Sequence, residues 1–337
     1  MMAERIVRDW YRGALWLNLL RPLAWLFERI VRRRRARFLA EKGQLWRPEV
    51  PILVVGNITV GGTGKSPLVA ALVTALRAQG WKPGVISRGY GGRASSYPMQ
   101  VTAESSVDEA GDEPVMLARL VDCPIVVDPI RVQAVQHLLA SSDVDLIISD
   151  DGLQHYKLWR DLEIAVLDGA RGLGNGLCLP AGPLREPSDR LQEVDFRVCN
   201  GPNRALSHIP CWEMTLQPTA MVRIRDGKHE DLASWKGRKV HAVAGIGHPE
   251  RFFETLRQLG LSVEPHAFDD HHRYNPSDLE FNDSLPIVMT DKDAVKCSEF
   301  ATDNMYALRV EAVLDAGFYD QVQEKLHQIR KTSKHHG

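Results

Sequence analysis

The chain has 337 residues, more than a single hydrophobic core usually organises, so two domains are the starting expectation. With 44% apolar and 25% charged residues it has the composition of a folded soluble protein, and a formal net charge of -1 gives no support to a nucleic-acid partner held by bulk charge. Its five cysteines, Cys123, Cys178, Cys199, Cys211 and Cys297, are scattered without a CxxC pair and read as reduced thiols in a reducing compartment rather than as disulfides or a zinc site.

Residues 1–40 carry Trp10, Tyr11, Trp16, Trp25 and Phe27 among many leucines, followed by Arg32 to Arg35 and Arg37. Trp16, Leu20, Leu23, Phe27 and Ile30 recur at three- and four-residue steps, so one helix would gather them on one face. Arg12, Asn18, Arg21 and Pro22 interrupt the run, which argues against a bilayer span. The charge follows the apolar stretch and no small-residue cleavage site is evident, which argues against a secretory signal. The expected element is an N-terminal amphipathic helix in a membrane interface, with tryptophans at headgroup depth and arginines on anionic lipid. The alternative is a helix packed on the protein's own core.

From residue 51 the chain alternates short apolar runs with longer helical patterns. Strand candidates are Ile52 to Val55, Val85 to Ser87, Ile125 to Val127, Leu146 to Ser149, Ile164 to Leu167 and Phe196 to Cys199. Several are apolar at every position, as parallel strands buried on both faces are. The pattern loosens from Gly201 to Pro218, then resumes with Val240 to Ala244, Phe252 to Leu259, Ile287 to Met289 and Ala307 to Val310. The fold expected is α/β: a P-loop-containing doubly wound parallel sheet over 41–210 and a smaller α/β domain over 211–330. Lys331 to Gly337 reads as a frayed tail.

The loop after the first strand is the strongest local signal. Thr59-Val60-Gly61-Gly62-Thr63-Gly64-Lys65-Ser66 lies between an apolar strand and a helix-forming stretch, the context a phosphate-binding loop requires. Glycines let successive N–H groups point at phosphate oxygens, and the helix N-terminus adds its positive end. Lys65 would reach the β/γ-phosphates of a nucleotide and Ser66 would ligate Mg²⁺. The match is a variant, since the strict pattern places a glycine where Thr59 stands. The apolar run Leu146 to Ser149 ends in Asp150-Asp151, the arrangement of a metal-holding arm beside such a loop. Strand-end aspartates also make ordinary turns, and a carboxylate pair also serves glycoside hydrolysis; the upstream loop makes both the lesser readings. Ser87 to Gly92, Gly111 to Pro114 and the stiff loop Leu179 to Pro187 each have a bland reading as turn or cap, Asp112 as a helix N-cap in particular.

Taken in order, Gly56 to Ser66, Ser87 to Gly92, Gly111 to Pro114, Asp150 to His155 and Leu179 to Pro187 resemble the tetraacyldisaccharide 4'-kinases, the lipid A 4'-kinases of Gram-negative bacteria. The resemblance runs through most of residues 10 to 300, more loosely in the C-terminal third around Val243 to Pro249 and Asp270-His271. It implies transfer of the γ-phosphate of ATP to the 4'-hydroxyl of a tetraacylated glucosamine disaccharide 1-phosphate, giving lipid IVA. It implies ATP and Mg²⁺ as cofactors, a phosphate loop over Thr59 to Ser66 with Lys65 acting on the phosphoryl group, and a metal-holding pair Asp150 and Asp151. It further implies Asp112 as the base, His271 as its support with His272 as a rival imidazole, and Glu186 near the metal. Arg88 and Arg185 are candidates for gripping the lipid's 1-phosphate. The partners implied are the glycolipid and a membrane surface, with no nucleic acid, for a monomer on the cytoplasmic face of the inner membrane.

Two readings from other classes compete. A nucleotide switch would want a guanine motif, but in Thr290-Asp291-Lys292-Asp293 the lysine comes one position late, and no Asp-x-x-Gly follows the Asp150 strand. A membrane scaffold with a merely structural loop would not bind nucleotide. Neither accounts for five ordered motifs.

Overall fold

The structure, a computed structural model, describes residues 2–203 and 205–333. It opens with α1 (Met2–Arg12), a 3-10 turn Leu15–Leu20, and α2 (Arg21–Glu41), followed by β1 (Ile52–Gly56), α3 (Lys65–Ala78) and β2 (Pro83–Ser87). Next come β3 (Met99–Val101), α4 (Val107–Ala110), α5 (Asp112–Leu120), β4 (Ile125–Val127), α6 (Arg131–Ser141), β5 (Leu146–Asp150), β6 (Leu162–Asp168) and β7 (Phe196–Asn200). The remainder is β8 (Trp212–Arg223), β9 (His229–Glu230), β10 (Lys239–Ala244), α7 (Pro249–Gln258), β11 (Ser262–Ala267), β12 (Ile287–Thr290), α8 (Asp291–Cys297), β13 (Met305–Leu314) and α9 (Ala316–Ser333). Because α9 runs to Ser333, the tail expected to fray from Lys331 is helical at its start, and its last residues lie outside those described.

The described residues form two compact units, one from 1–88, 123–215 and 313–337, the other from 89–122 and 216–312. In the first, the strand order is β8-β7-β6-β1-β5-β2-β4, and every adjacent pair is parallel. β1, β2, β5 and β6 are buried at every residue, which is why their sequences are apolar without alternation. β1 lies centrally between β5 and β6, so the loop that leaves it opens at the carboxyl edge of the sheet, beside the end of β5. That is where doubly wound sheets bind ligands.

The N-terminal segment differs from the single amphipathic helix expected. Trp16 and Leu20 sit in the separate 3-10 turn, and α2 starts at Arg21 with Pro22 in its first turn, where proline's missing N–H does no harm. Ala24, Val31 and Phe38 form a buried seam seven residues apart, and Phe27 packs against the core of the first unit. Burying a side chain of this size contributes about 1.5–3 kcal/mol. Outside that seam Leu23, Trp25, Leu26, Ile30 and Leu39 are exposed on α2, as are Leu15 and Leu19 in the 3-10 turn before it. No helix among the described residues is long and apolar enough to cross a membrane.

One expectation about cysteine is corrected. Cys199, at the end of β7, and Cys211, just before β8, are joined as a disulfide with their Cα atoms 6.1 Å apart. The intervening chain turns back to start β8 as the parallel neighbour of β7, which brings the two residues side by side without any CxxC spacing. Cys123, Cys178 and Cys297 remain thiols, and burial pushes those of Cys178 and Cys297 up to about 11 and about 12.

The second unit is a smaller sheet in which β11, β10, β12 and β13 run parallel in that order. The antiparallel ribbon of β8 with β9 extends it. Its core gathers Trp235, Val240, Ala242, Phe253 and Leu256 under α7, with a second cluster around Met289 and Tyr274.

Candidate active site

In the first unit, the loop after β1 is held open by its own backbone contacts. Val60 N–H donates to the Pro183 carbonyl (2.8 Å) and Arg185 N–H to the Ile58 carbonyl (2.7 Å), so the stiff Leu179 to Pro187 loop braces Thr59 and Val60. Asn57 Nδ2 donates to the Gly61 carbonyl, Arg171 to the Gly62 carbonyl and Asn200 Nδ2 to the Thr63 carbonyl. Three successive carbonyls of the loop, those of Gly61, Gly62 and Thr63, are thus engaged by side chains. Gly64, which caps α3, has φ +92°, and a Cβ there would stand 2.6 Å from Asn200 Nδ2. No side chain caps the first turn of α3 and no acidic residue lies in it, so its N–H groups are offered to an anion. Among the described residues nothing pairs with the buried Thr63 hydroxyl, a polar atom in the same cradle. These features fit phosphate.

Lys65 is buried and its Nζ lies 3.6 Å from Asp151 Oδ1 and 3.5 Å from Asn57 Oδ1. Asp150, fully buried, ends β5, and Asp151 follows with φ +48°, which turns its carboxylate back toward Lys65. Arg185 pairs with the same carboxylate at 3.2 Å. Burial pushes the Asp151 carboxyl up, but the charges of Lys65 and Arg185 outweigh it and hold the group below the usual carboxylate range. Asp151 is therefore ionised at neutral pH. The donors here are all oxygens, from Ser66, Asp150 and Asp151, the set a hard divalent cation such as Mg²⁺ takes.

Glu186 is buried too, but its oxygens are occupied. Oε1 accepts from Gln154 Nε2 (2.7 Å), and Oε2 accepts from the Tyr156 hydroxyl and lies 3.4 Å from Arg190 Nε. Gln154 also donates to the Asn57 carbonyl, so Glu186 reaches the phosphate loop through one intermediate side chain. His155 in the same motif is held neutral: burial first, then the charges of Arg131 and Arg88, bring it down to about 4.

In the second unit, Gly111 begins α5 with φ +91°, and a Cβ there would meet the Tyr90 carbonyl at 2.6 Å. This close approach, repeated where a Cβ at Gly92 would meet the Gly111 nitrogen at 2.7 Å, is why Gly precedes Asp112. Asp112 is buried, accepts from Glu113 N–H at 2.9 Å through Oδ1, and meets His271 Nδ1 at 2.9 Å through Oδ2. His271 has φ +62° and lies against the Tyr90 ring at 5.1 Å between centroids. Its neighbour His272 is turned elsewhere, to Asp278 at 3.1 Å, so of the two rival imidazoles only His271 reaches Asp112. Burial raises the Asp112 carboxyl, yet its hydrogen bond to His271 and the nearby Lys292 and Lys296 bring it below the usual range. The same hydrogen bond raises the imidazole of His271, against burial and Lys292.

Two residues of this cluster escaped sequence reading. Lys292 Nζ lies 3.3 Å from His271 Nε2 and 3.8 Å from Asp112 Oδ2, and Lys296 Nζ lies 4.0 Å from Asp112 Oδ2. They share one face of α8 at i and i+4. The signal for them in the sequence is the strand-then-helix start at Thr290-Asp291-Lys292, which a comparison with guanine motifs alone does not reveal. In the first unit Asn200 and Arg171 were likewise missed, since they act on backbone carbonyls and carry no motif.

A family model described as tetraacyldisaccharide-1-P 4'-kinase matches residues 16–327 of the chain. The chain is 50% identical over 325 residues to a tetraacyldisaccharide 4'-kinase of Ectopseudomonas mendocina, covering 96% of this chain and 97% of that one. It is 49% identical to one of Pseudomonas putida strain F1, covering 96% and 98%. Among solved structures it is similar to LpxK of Aquifex aeolicus, described as an "apo" form in complex with ATP. There the TM-score is 0.77 at 27% identity, covering 94% of this chain and 99% of the other.

Proposed function

Because the chain belongs to the tetraacyldisaccharide-1-P 4'-kinase family, we propose that its two clusters divide one phosphoryl transfer between them. The first unit handles the donor, ATP, and the second supplies the base for the acceptor. The observation that carries this reading is the phosphate loop itself, with Lys65 buried beside an ionised Asp151 at the carboxyl end of β1. The 4'-hydroxyl oxygen forms a bond to the γ-phosphorus as the bond from that phosphorus to the β–γ bridging oxygen breaks, and ADP leaves. Thr59 to Ser66 hold the phosphates through backbone N–H groups, and Lys65 spreads the charge of the transferring group. Ser66, Asp150 and Asp151 are the residues that would hold Mg²⁺, which would supply positive charge to neutralise the charge developing on the transferring phosphoryl group. Glu186 keeps the loop and the metal-side residues in register through Gln154 and Asn57. Asp112 takes the proton of the hydroxyl, oriented by His271 and held ionised by Lys292 and Lys296.

The exposed apolar face of α2 with the 3-10 turn before it is the membrane-docking element of this peripheral protein, on the cytoplasmic side where ATP is present. A four-chain lipid forfeits about 0.8 kcal/mol for each CH₂ brought into water, so the protein must go to the bilayer rather than the substrate to the protein. Of the four clustered arginines, Arg32 pairs with Glu28 and Asp189 and Arg35 with Glu193, leaving Arg33 and Arg34 exposed for lipid phosphates. The protein acts as a monomer. The test is purified protein with Mg-ATP and the disaccharide 1-phosphate in detergent, followed for a doubly phosphorylated lipid. Lys65→Ala and Asp151→Ala should each lower the rate by roughly 10²–10³, the range for losing one charge-stabilising contact, with circular dichroism unchanged. Parent-like rates in either variant would remove that residue from the reaction.

A further inference from the structure

The second unit carries a side-chain cluster that this chemistry does not use. His241 on β10 stands opposite Glu264 on the parallel edge strand β11, and His266 lies two residues further along β11, on the same face. His241 Nδ1 is 3.0 Å from His266 Nε2 and 3.2 Å from Glu264 Oε2. The ligand atoms of all three residues lie within 4.8 Å of one another. In a tetrahedral zinc site with bonds of about 2.0–2.2 Å, neighbouring ligand atoms are roughly 3.3 Å apart. Two sides of the triangle, both from His241 Nδ1, already have nearly that length, and the third is no longer than 4.8 Å.

We infer that His241, Glu264 and His266 form a binding site for a divalent metal of the zinc class. Two nitrogens and one carboxylate oxygen disfavour Mg²⁺ and suit zinc, with water completing four ligands. The surroundings have the form that metal-bound histidines show. His241 turns its second nitrogen, Nε2, to Asp283 Oδ1 at 3.0 Å, which fixes the tautomer that leaves Nδ1 free to ligate. Phe281 stacks on His241 at 3.8 Å between centroids and covers His266 at 4.4 Å, walling one side of the site with an apolar ring. Lys239 takes the other oxygen of Glu264 at 2.5 Å and orients the carboxylate. The ion would clamp the edge strand β11 to β10 across their side chains.

The sequence also ends in His335-His336, which can bind zinc adventitiously, so the test uses untagged full-length protein carrying His335→Ala and His336→Ala. After chelation and dialysis, the protein is titrated with zinc, with metal content measured by elemental analysis, and with cobalt(II), followed by visible absorption. The expected result is one zinc per chain, the intense visible bands of four-coordinate cobalt, and a thermal midpoint that rises until one equivalent is added. His266→Gln and Glu264→Gln, at partly exposed positions, should abolish the cobalt bands while the fold persists. Asp283→Asn, one step removed, should weaken zinc about 10–100-fold. Equal zinc affinity in the tail variant and in its His266→Gln derivative would overturn the site, as would stoichiometric zinc lost on removing the tail histidines alone.

Discussion

Gly64→Ala perturbs the phosphate loop at one atom, and its consequence can be worked from local geometry. The residue has φ +92°, a conformation that costs a side chain of L configuration about 1–2 kcal/mol. The new methyl would stand 2.6 Å from Asn200 Nδ2 and 3.0 Å from Met214 Cε, so Asn200 must withdraw and release the Thr63 carbonyl it holds at 3.1 Å. Losing that bond adds about 0.5–1.5 kcal/mol. The total is roughly 1.5–3.5 kcal/mol, or about 3–14 °C in melting temperature for a unit of this size. Gly62→Ala is the matched control, because a Cβ there meets nothing within 4 Å and the backbone is not in the left-handed region. Scanning calorimetry with and without Mg-ATP should show Gly64→Ala melting earlier and losing the nucleotide-induced rise, while Gly62→Ala melts like the parent. Equal melting of the two variants would refute the claim that the Gly64–Asn200 contact shapes the loop.

Asp112 as the proposed base carries further predictions. Asp112→Asn should lower kcat by roughly 10²–10⁴ with little change in the KM for ATP, and His271→Ala should be milder and combine with it less than additively; additive losses would separate the two residues. In Asp112→Asn the His271 imidazole should titrate back toward about 6.5, read by NMR. The sign of the pH dependence follows from the two shifts: the raised His271 stabilises the fold fully below its ordinary value and loses that contribution as pH rises through the raised one. The depressed Asp112 stabilises above its ordinary value and fails as pH falls through the lowered one, so His271→Ala should flatten the alkaline side fully and the acid side in part, since Lys292 and Lys296 still hold Asp112 down. At the membrane, Leu19→Glu with Trp25→Glu should release the protein from anionic vesicles at any salt, whereas Arg33→Gln with Arg34→Gln should weaken binding relative to the parent most clearly at low salt and little at raised ionic strength; vesicle co-sedimentation decides, and retention of the first variant would assign the exposed face another purpose.

What the sequence made legible follows from how local each signal is. The parallel strands were readable because β1, β5 and β6 are buried on both faces and so carry uninterrupted apolar runs. The phosphate loop and Asp150-Asp151 were readable because their chemistry sits in consecutive residues. The proton-handling cluster was only half readable: Asp112 and His271 are 159 residues apart, and the lysines beside them emerge only when α8 is laid against α5. Nor does periodicity reveal that 89–122 packs with 216–312, because no helix or strand pattern encodes its partner. Glu186 shows the same limit. Its motif places it near the metal-side residues, but not that Gln154, Tyr156 and Arg190 would occupy its carboxylate.

The N-terminal segment failed as a one-face reading for a specific reason. A helical period was assigned across Pro22, where the chain changes from 3-10 turn to α-helix, so positions 16 and 20 were aligned with 23, 27 and 30 although they do not share a helix. The actual α2 has two apolar faces: a seam of Ala24, Val31 and Phe38 committed to the first unit, and an outward strip from Leu23 to Ile30. A helix that merely packed on its own core would need only the first, and a freely binding surface helix only the second. Both in one element fix the outward strip rigidly to the unit that carries the phosphate loop. On the proposed reading, an apolar surface held in that way would bring the unit that carries the phosphate loop to the bilayer without a linker, and this is what the vesicle variants above examine.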